Sequence, residues 1–234
     1  MSCCIRPGEL HVLIGPNGAG KSTLLAALAG LLHPDHGNVR LDARCLSRWH
    51  PRALGCRRAV LPQHNPMAFD YSVEALLALG LHPHDAGTDT ALELGVDALE
   101  LAPLLQQRMH TLSGGEQQRA QLGRVLAQLR PAAGCYLLLD EPLAALDLRF
   151  RVRLLALLKR LLHRGVGIVL SIHELDTLHD LDAEVHLLHT GSVLETAHGL
   201  NQLGTEALSR AYGGPVQFET RAIPVLQEPH PTGD

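Results

Sequence analysis

The sequence predicts an α/β fold built on a parallel sheet, with a helical segment inserted into it. Three observations lead there. Short apolar runs alternate with helical patterns, as in a parallel sheet joined by crossover helices. A Gly-rich stretch separates the first apolar run from the first helical pattern. From Ser72 to Arg130 no β-branched run appears, and Leu, Ala, Glu and Gln dominate, so this stretch reads as a helical insert.

The elements follow in order. Leu10 to Ile14 is an apolar strand candidate, and Leu24, Leu25, Leu28, Leu31 and Leu32 recur after it at helical spacing. Pro34-Asp35-His36-Gly37 breaks that pattern ahead of a strand candidate at Asn38 to Leu41 and a weaker one at Ala59 to Leu61. Beyond the insert, Tyr136 to Leu139 and Gly167 to Ile172 read as buried strands. The helix between them carries Phe150, Leu154, Leu157, Leu158 and Leu161 on one face. Glu184 to Leu188 is the last strand candidate, and past Tyr212 the Pro-containing chain reads as irregular. The expected organisation is one domain over 1–234, with a core at about 8–70 and 131–212, a helical subdomain at about 71–130 and a tail at 213–234.

With 46% hydrophobic and 19% charged residues over 234 positions, 22 Gly and 14 Pro, the composition excludes fibrous, collagen-like and wholly disordered classes. Twenty Lys+Arg against 24 Asp+Glu give a net charge of -4, which supplies no general basic field for nucleic acid. Runs such as Tyr136 to Leu139 and Leu154 to Leu158 fall far short of the ~18 residues that span a bilayer. The N-terminus lacks a signal-peptide pattern, so a cytoplasmic location is expected. Five cysteines without a CxxC pair read as free thiols. The 15 histidines are scattered apart from His82 and His84, and are expected to be solvated imidazoles rather than a metal site.

Three motifs carry chemistry. Gly15-Pro16-Asn17-Gly18-Ala19-Gly20-Lys21-Ser22-Thr23 fits G-x-x-x-x-G-K-[ST] between a strand and a helix. Its glycines let main-chain N–H groups and the helix N-terminus face phosphate oxygens, Lys21 reaches the β/γ-phosphates, and the Ser22 hydroxyl can ligate Mg²⁺. Cys135 to Pro142 is a buried strand ending in Asp140 and Glu141, whose carboxylates point in different directions at the strand tip. Asp140 is placed to anchor a hydrated Mg²⁺ and Glu141 to polarise a water in line with the γ-phosphate; without the phosphate loop the pair would read as a solvated turn. Leu112-Ser113-Gly114-Gly115-Glu116-Gln117-Gln118-Arg119 opens a helix in which Ser113 and Glu116 form a capping box. Two glycines in that first turn expose bare N–H groups, which suits a second anion site.

Together these motifs resemble the ATP-binding cassette (ABC) ATPases. The resemblance covers about Gly8 to Val216 and implies a P-loop NTPase core with a parallel sheet and an inserted helical subdomain, binding ATP and Mg²⁺. It implies that Ser113, Gly114, Gly115 and Glu116 are the signature turn, which clasps the γ-phosphate of ATP held by the phosphate loop of a second copy. Gln63 in Val60-Leu61-Pro62-Gln63-His64 matches the Q-loop glutamine, which senses Mg²⁺ and the attacking water. Ala144-Ala145-Leu146-Asp147 matches the D-loop along the dimer seam, and His173 the switch histidine on the γ-phosphate. The implied catalytic set is Glu141, His173 and Gln63; the implied metal set is Ser22, Gln63 and Asp140.

One departure concerns the base. The family begins with two further strands carrying an aromatic residue that stacks on adenine, whereas nine residues precede Leu10, and Trp49, Tyr71, Tyr136 and Tyr212 all lie downstream. Either the chain starts further upstream or the base is held without that stack. A lone cassette fits the energising subunit of an importer, working as two copies with two transmembrane permease subunits and, indirectly, a periplasmic or extracellular substrate-binding protein. It would then lie peripherally on the cytoplasmic face of the inner membrane. Ala59 to His64, Gly80-Leu81-His82-Pro83-His84 and Tyr212-Gly213-Gly214-Pro215-Val216 resemble the iron-chelate, haem and cobalamin branch, and most of all haemin-importer ATPases. That branch usually has Arg where Leu81 stands and commonly Asp where Glu174 stands. The competing readings are a siderophore or cobalamin importer, or a cytosolic ABC ATPase serving assembly rather than transport.

Overall fold

Leu10–Ile14 (β1) is buried along its whole length, as a strand covered on both faces must be. The computed structural model describes residues 2–63, 69–84, 91–175 and 181–217. After β1 come α1 (Lys21–Leu28), β2 (Arg40–Leu41), β3 (Arg44–Cys45), α2 (Pro51–Gly55) and β4 (Arg58–Leu61). The segment read as a helical insert holds α3 (Val73–Leu81), α4 (Leu92–Ala98) and α5 (Gly114–Gln128). The α/β pattern then resumes with β5 (Tyr136–Asp140), α6 (Leu148–His163), β6 (Gly167–Ser171), β7 (Glu184–His189), β8 (Ser192–His198) and α7 (Thr205–Tyr212).

Six strands among the described residues form the central sheet in the order β4-β5-β6-β1-β7-β8. β4 to β7 and β1 run parallel, and β8 closes the edge antiparallel to β7. On one face Leu10, Val12 and Ile14 of β1 join the core built with α5 and α6; on the other Leu13 packs with Leu25, Ala29, Leu138, Val169 and Leu188 around α1. Because β1, β5 and β6 are parallel neighbours, the loops leaving their C-terminal ends gather at one edge, where open α/β sheets bind ligands. Within the helical segment, Gly80 lets α3 lie against α5: a Cβ there would sit 2.2 Å from the Arg124 carbonyl oxygen.

Several expectations are corrected. Leu31 and Leu32 do not extend the buried face of α1 but are exposed, because Gly30 at φ +70 ends the helix before them. The strand expected at Asn38 to Leu41 shrinks to β2, paired only with β3 across Asp42 and Ala43, both at positive φ. β8 was not anticipated; it follows a two-residue Thr190-Gly191 turn at φ 45 and 76, the geometry that closes tight hairpins. α7 was not anticipated either, although Leu208 and Ala211 are buried.

The histidines are not uniformly solvated. His11 and His186 are 1% and 2% exposed, and their Nδ1 and Nε2 atoms lie 3.0 Å apart. That distance is a hydrogen bond, with ring planes within 10° of parallel and centroids 5.3 Å apart; with Glu184 the two rings also form a group whose ligand atoms lie within 4.8 Å of one another and could hold a metal ion. Glu9 on the far side of His11 and Thr196 on the far side of His186 complete the chain. Burial, then His11, lowers the His186 imidazole from its ordinary range. His84 contacts the Gln128 carbonyl at the end of α5 through Nε2 at 2.6 Å. The five cysteines are unpaired. No helix among the described residues is long and apolar enough to cross a membrane.

Candidate functional site

The phosphate loop runs from the end of β1 into α1. Gly15 has φ +142, and a Cβ there would meet the Leu188 carbonyl oxygen at 2.2 Å, so a side chain is excluded where the loop presses on β7. Gly18 and Gly20 also take positive φ, and Gly20 leaves the N-terminus of α1 with no side-chain cap. Uncapped N–H groups at a helix N-terminus are what a phosphate requires. Asn17 and Gly18 are exposed at the tip, while Ala19 is buried and accepts a hydrogen bond from the Gly191 N–H. Lys21 is only 5% exposed; its Nζ donates to the Gly15 and Pro16 carbonyls at 2.7 and 3.1 Å. Burial lowers the Lys21 ammonium from its usual range, and the nearby Glu141 and Asp140 carboxylates oppose that shift. The Tyr212 phenol is pushed up by burial, opposed by a hydrogen bond from the Gly15 main chain.

Asp140 and Glu141 face different partners. Asp140 is 5% exposed and accepts a hydrogen bond from Ser171 Oγ at Oδ1. Glu141, at φ +52, turns its carboxylate to His173, with Oε1 and Nε2 2.6 Å apart. Glu141 and His173 line a cleft with Leu143, Ala144, Ser171, Ile172 and Glu174. Ser22 Oγ meets Gln63 Oε1 at 3.5 Å, joining the start of α1 to the end of β4; His64 lies outside the described residues. Ser22, Gln63 and Asp140 offer a hydroxyl, an amide carbonyl and a carboxylate, an all-oxygen set that fits a hard cation such as Mg²⁺. Ser171 was not anticipated as a site residue: within an apolar strand its hydroxyl gave no signal, and only strand register brings it to Asp140.

The Ser113 to Glu116 turn stands apart from the phosphate loop. The Glu116 N–H donates to Ser113 Oγ at 3.4 Å, and the Ser113 N–H and Oγ donate to Glu116 Oε2 at 2.8 and 2.7 Å, the capping box expected. These bonds, the Ser113 hydroxyl first, hold the Glu116 carboxyl below its usual range. Gly114 has open space around it, and Gly115 lies close to the Ala145 carbonyl. No hydrogen bond or ion pair joins this turn to residues 15–23 among the described residues. Asp147 caps α6, its Oδ1 accepting from the Phe150 N–H at 3.0 Å. Glu174, which follows the switch position, pairs with Arg151 on α6, whose Nε also donates to the Leu146 carbonyl.

A strand–loop–helix phosphate cradle after β1, with two carboxylates at the tip of β5 one strand beyond β6 in the same parallel sheet, defines a P-loop nucleoside-triphosphatase. The family model described as "ABC transporter" matches residues 1–144, and the chain belongs to that family as an ABC-type ATPase. The chain is 41% identical over 227 residues to the hemin import ATP-binding protein HmuV of Enterobacter cloacae, covering 92% of this chain and 84% of that protein. It is 40% identical over 233 residues to the protein of that name from Pseudomonas entomophila, covering 97% and 87%. A solved structure of an ATP binding subunit of an ABC transporter superposes with a TM-score of 0.74 at 25% identity, covering 91% of this chain and 85% of that one.

Proposed function

We propose that this chain is the ATP-hydrolysing subunit of an importer that carries haem across the cytoplasmic membrane. Support for the ATPase chemistry lies in one observation above others: Glu141, held at the strand tip, is in contact with His173 and next to an Asp140 fixed by Ser171. Support for haem lies in identity of about 40% to two hemin import ATP-binding proteins over nearly the whole chain.

In this reading the phosphate loop, from Gly15 to Thr23, binds the triphosphate through main-chain N–H groups. Lys21 exchanges its two carbonyl acceptors for phosphate oxygens. Ser22, Gln63 and Asp140 would hold Mg²⁺, which would neutralise phosphate charge there. Glu141 takes the proton of the attacking water, and His173, holding Glu141, contacts the γ-phosphate. The Ser113 to Glu116 turn, exposed at Ser113 and Gly114, completes the site of a second copy, with Asp147 along the seam between copies. Two copies close on two ATP molecules and drive a pair of permease subunits, one helix of which docks on the helical segment near Gln63. The subunit lies peripherally on the cytoplasmic face of the membrane, and a substrate-binding protein acts on it only through the permease.

The test is reconstitution with the co-purifying permease in liposomes and measurement of ATP-driven uptake. Uptake of haem supports the proposal. Uptake of a siderophore or cobalamin instead moves the assignment within the branch, and the absence of any permease partner overturns transport in favour of a cytosolic ATPase.

A further inference from the structure

Ser171 ends β6, is 0% exposed, and sits opposite Asp140 in the parallel register of β5 and β6. Its hydroxyl does two things at once. It donates to Asp140 Oδ1, and it accepts the main-chain N–H of Glu141 at 3.0 Å. Both neighbours need holding. With one oxygen engaged by Ser171, the Asp140 carboxylate cannot turn freely about its terminal torsion, which is broad when unrestrained. Glu141 sits at φ +52, in the left-handed region that a residue with a Cβ enters only when its surroundings insist. One side chain on the adjacent strand therefore fixes the direction of the first acid and the backbone of the second. An apolar side chain here could do neither.

We propose that Ser171 is a positioning residue for hydrolysis, aligning Asp140 for the metal and Glu141 for the attacking water through a single hydroxyl. This rests on the reading of those two acids given above. Ser171 is 0% exposed, so removing its hydroxyl acts on alignment and leaves the phosphate loop alone. Hydrogen bonds to charged groups are the strong ones, and losing this one leaves a buried carboxylate and a buried N–H without their partner.

Ser171→Val and Ser171→Thr separate the hydroxyl from the volume, since Val and Thr differ little in shape. For Ser171→Val the expected fall in kcat is about tenfold to a hundredfold, with a higher Mg²⁺ midpoint. ATP affinity in EDTA, read by a fluorescent nucleotide, stays within about twofold because the loop donors are untouched. The Glu141 amide proton exchanges faster with solvent. Ser171→Thr restores kcat, Mg²⁺ midpoint and amide protection. If Ser171→Val does not fold, Ser171→Ala carries the same expectation. Wild-type kcat and Mg²⁺ dependence without the hydroxyl would overturn the proposal, as would equal losses in the Thr and Val variants. Glu141→Gln measured alongside separates the two ideas: full activity in that variant would sink the assignment of the acids, whereas its loss with an active Ser171→Val sinks only the role of Ser171.

Discussion

Replacing Glu141 with Gln removes one negative charge and changes little else. The side chain keeps its length, and the Gln carbonyl can still accept from His173 Nε2, which lies 2.6 Å from Glu141 Oε1. The main-chain N–H stays bonded to Ser171 at 3.0 Å, so the backbone at φ +52 keeps its restraint. What disappears is the group that takes a proton from water. A positioned base contributes about 10²–10⁴ in rate, or roughly 3–5 kcal/mol of barrier. Binding runs through the main-chain donors of the loop and through Lys21, so ATP affinity should stay within about threefold. Turnover is measured by phosphate release at saturating ATP and affinity by equilibrium titration. Size-exclusion chromatography with ATP and Mg²⁺ should show the variant trapped as a dimer. Undiminished hydrolysis at saturating ATP would refute the reasoning, because some other group would then be the base.

Lys21→Ala should do the reverse, raising the Kd for ATP by about tenfold to a hundredfold through loss of a charge-assisted phosphate contact; unchanged affinity in a titration would mean that the ammonium stays on the Gly15 and Pro16 carbonyls when ATP binds. Gly80→Ala places a methyl 2.2 Å from the Arg124 carbonyl oxygen and should destabilise the packing of α3 on α5 by about 1–3 kcal/mol. A circular-dichroism melt should show this as a lowered Tm, and an unchanged melt would show that the helices separate without cost.

How much was legible in the sequence depended on what kind of signal each element carries. β1, β5 and β6 are buried on both faces, so each is mostly apolar and can be read directly, although His11 interrupts β1 and Asp140 and Ser171 end β5 and β6. β8 pairs on one side only and alternates exposed with half-buried residues such as Glu195 and Thr196, so no apolar run marks it. Leu31 and Leu32 continue a helical spacing that Gly30 has already ended. The phosphate loop and the acids at 140 and 141 are local patterns, and both carboxylates oppose the lowering of the Lys21 ammonium by burial. Ser171 and the His11–His186 pair are products of strand pairing: His11 lies opposite Glu184 and Leu13 opposite His186 in the β1–β7 register, and Ser171 lies opposite Asp140 in β5–β6. A parallel register is set by crossover connections many residues long, and a single sequence does not display it. Glu174 illustrates the same point, since its partner Arg151 is 23 positions away on α6.

The central claim is that one copy holds a phosphate loop, another supplies the Ser113 to Glu116 turn, and hydrolysis needs both. Specific ATPase activity measured over a dilution series, with the oligomeric state followed by sedimentation, tests it most directly. The account predicts that specific activity rises with enzyme concentration while monomers dominate and levels off once dimers do. A flat specific activity in a sample shown to be monomeric would contradict it.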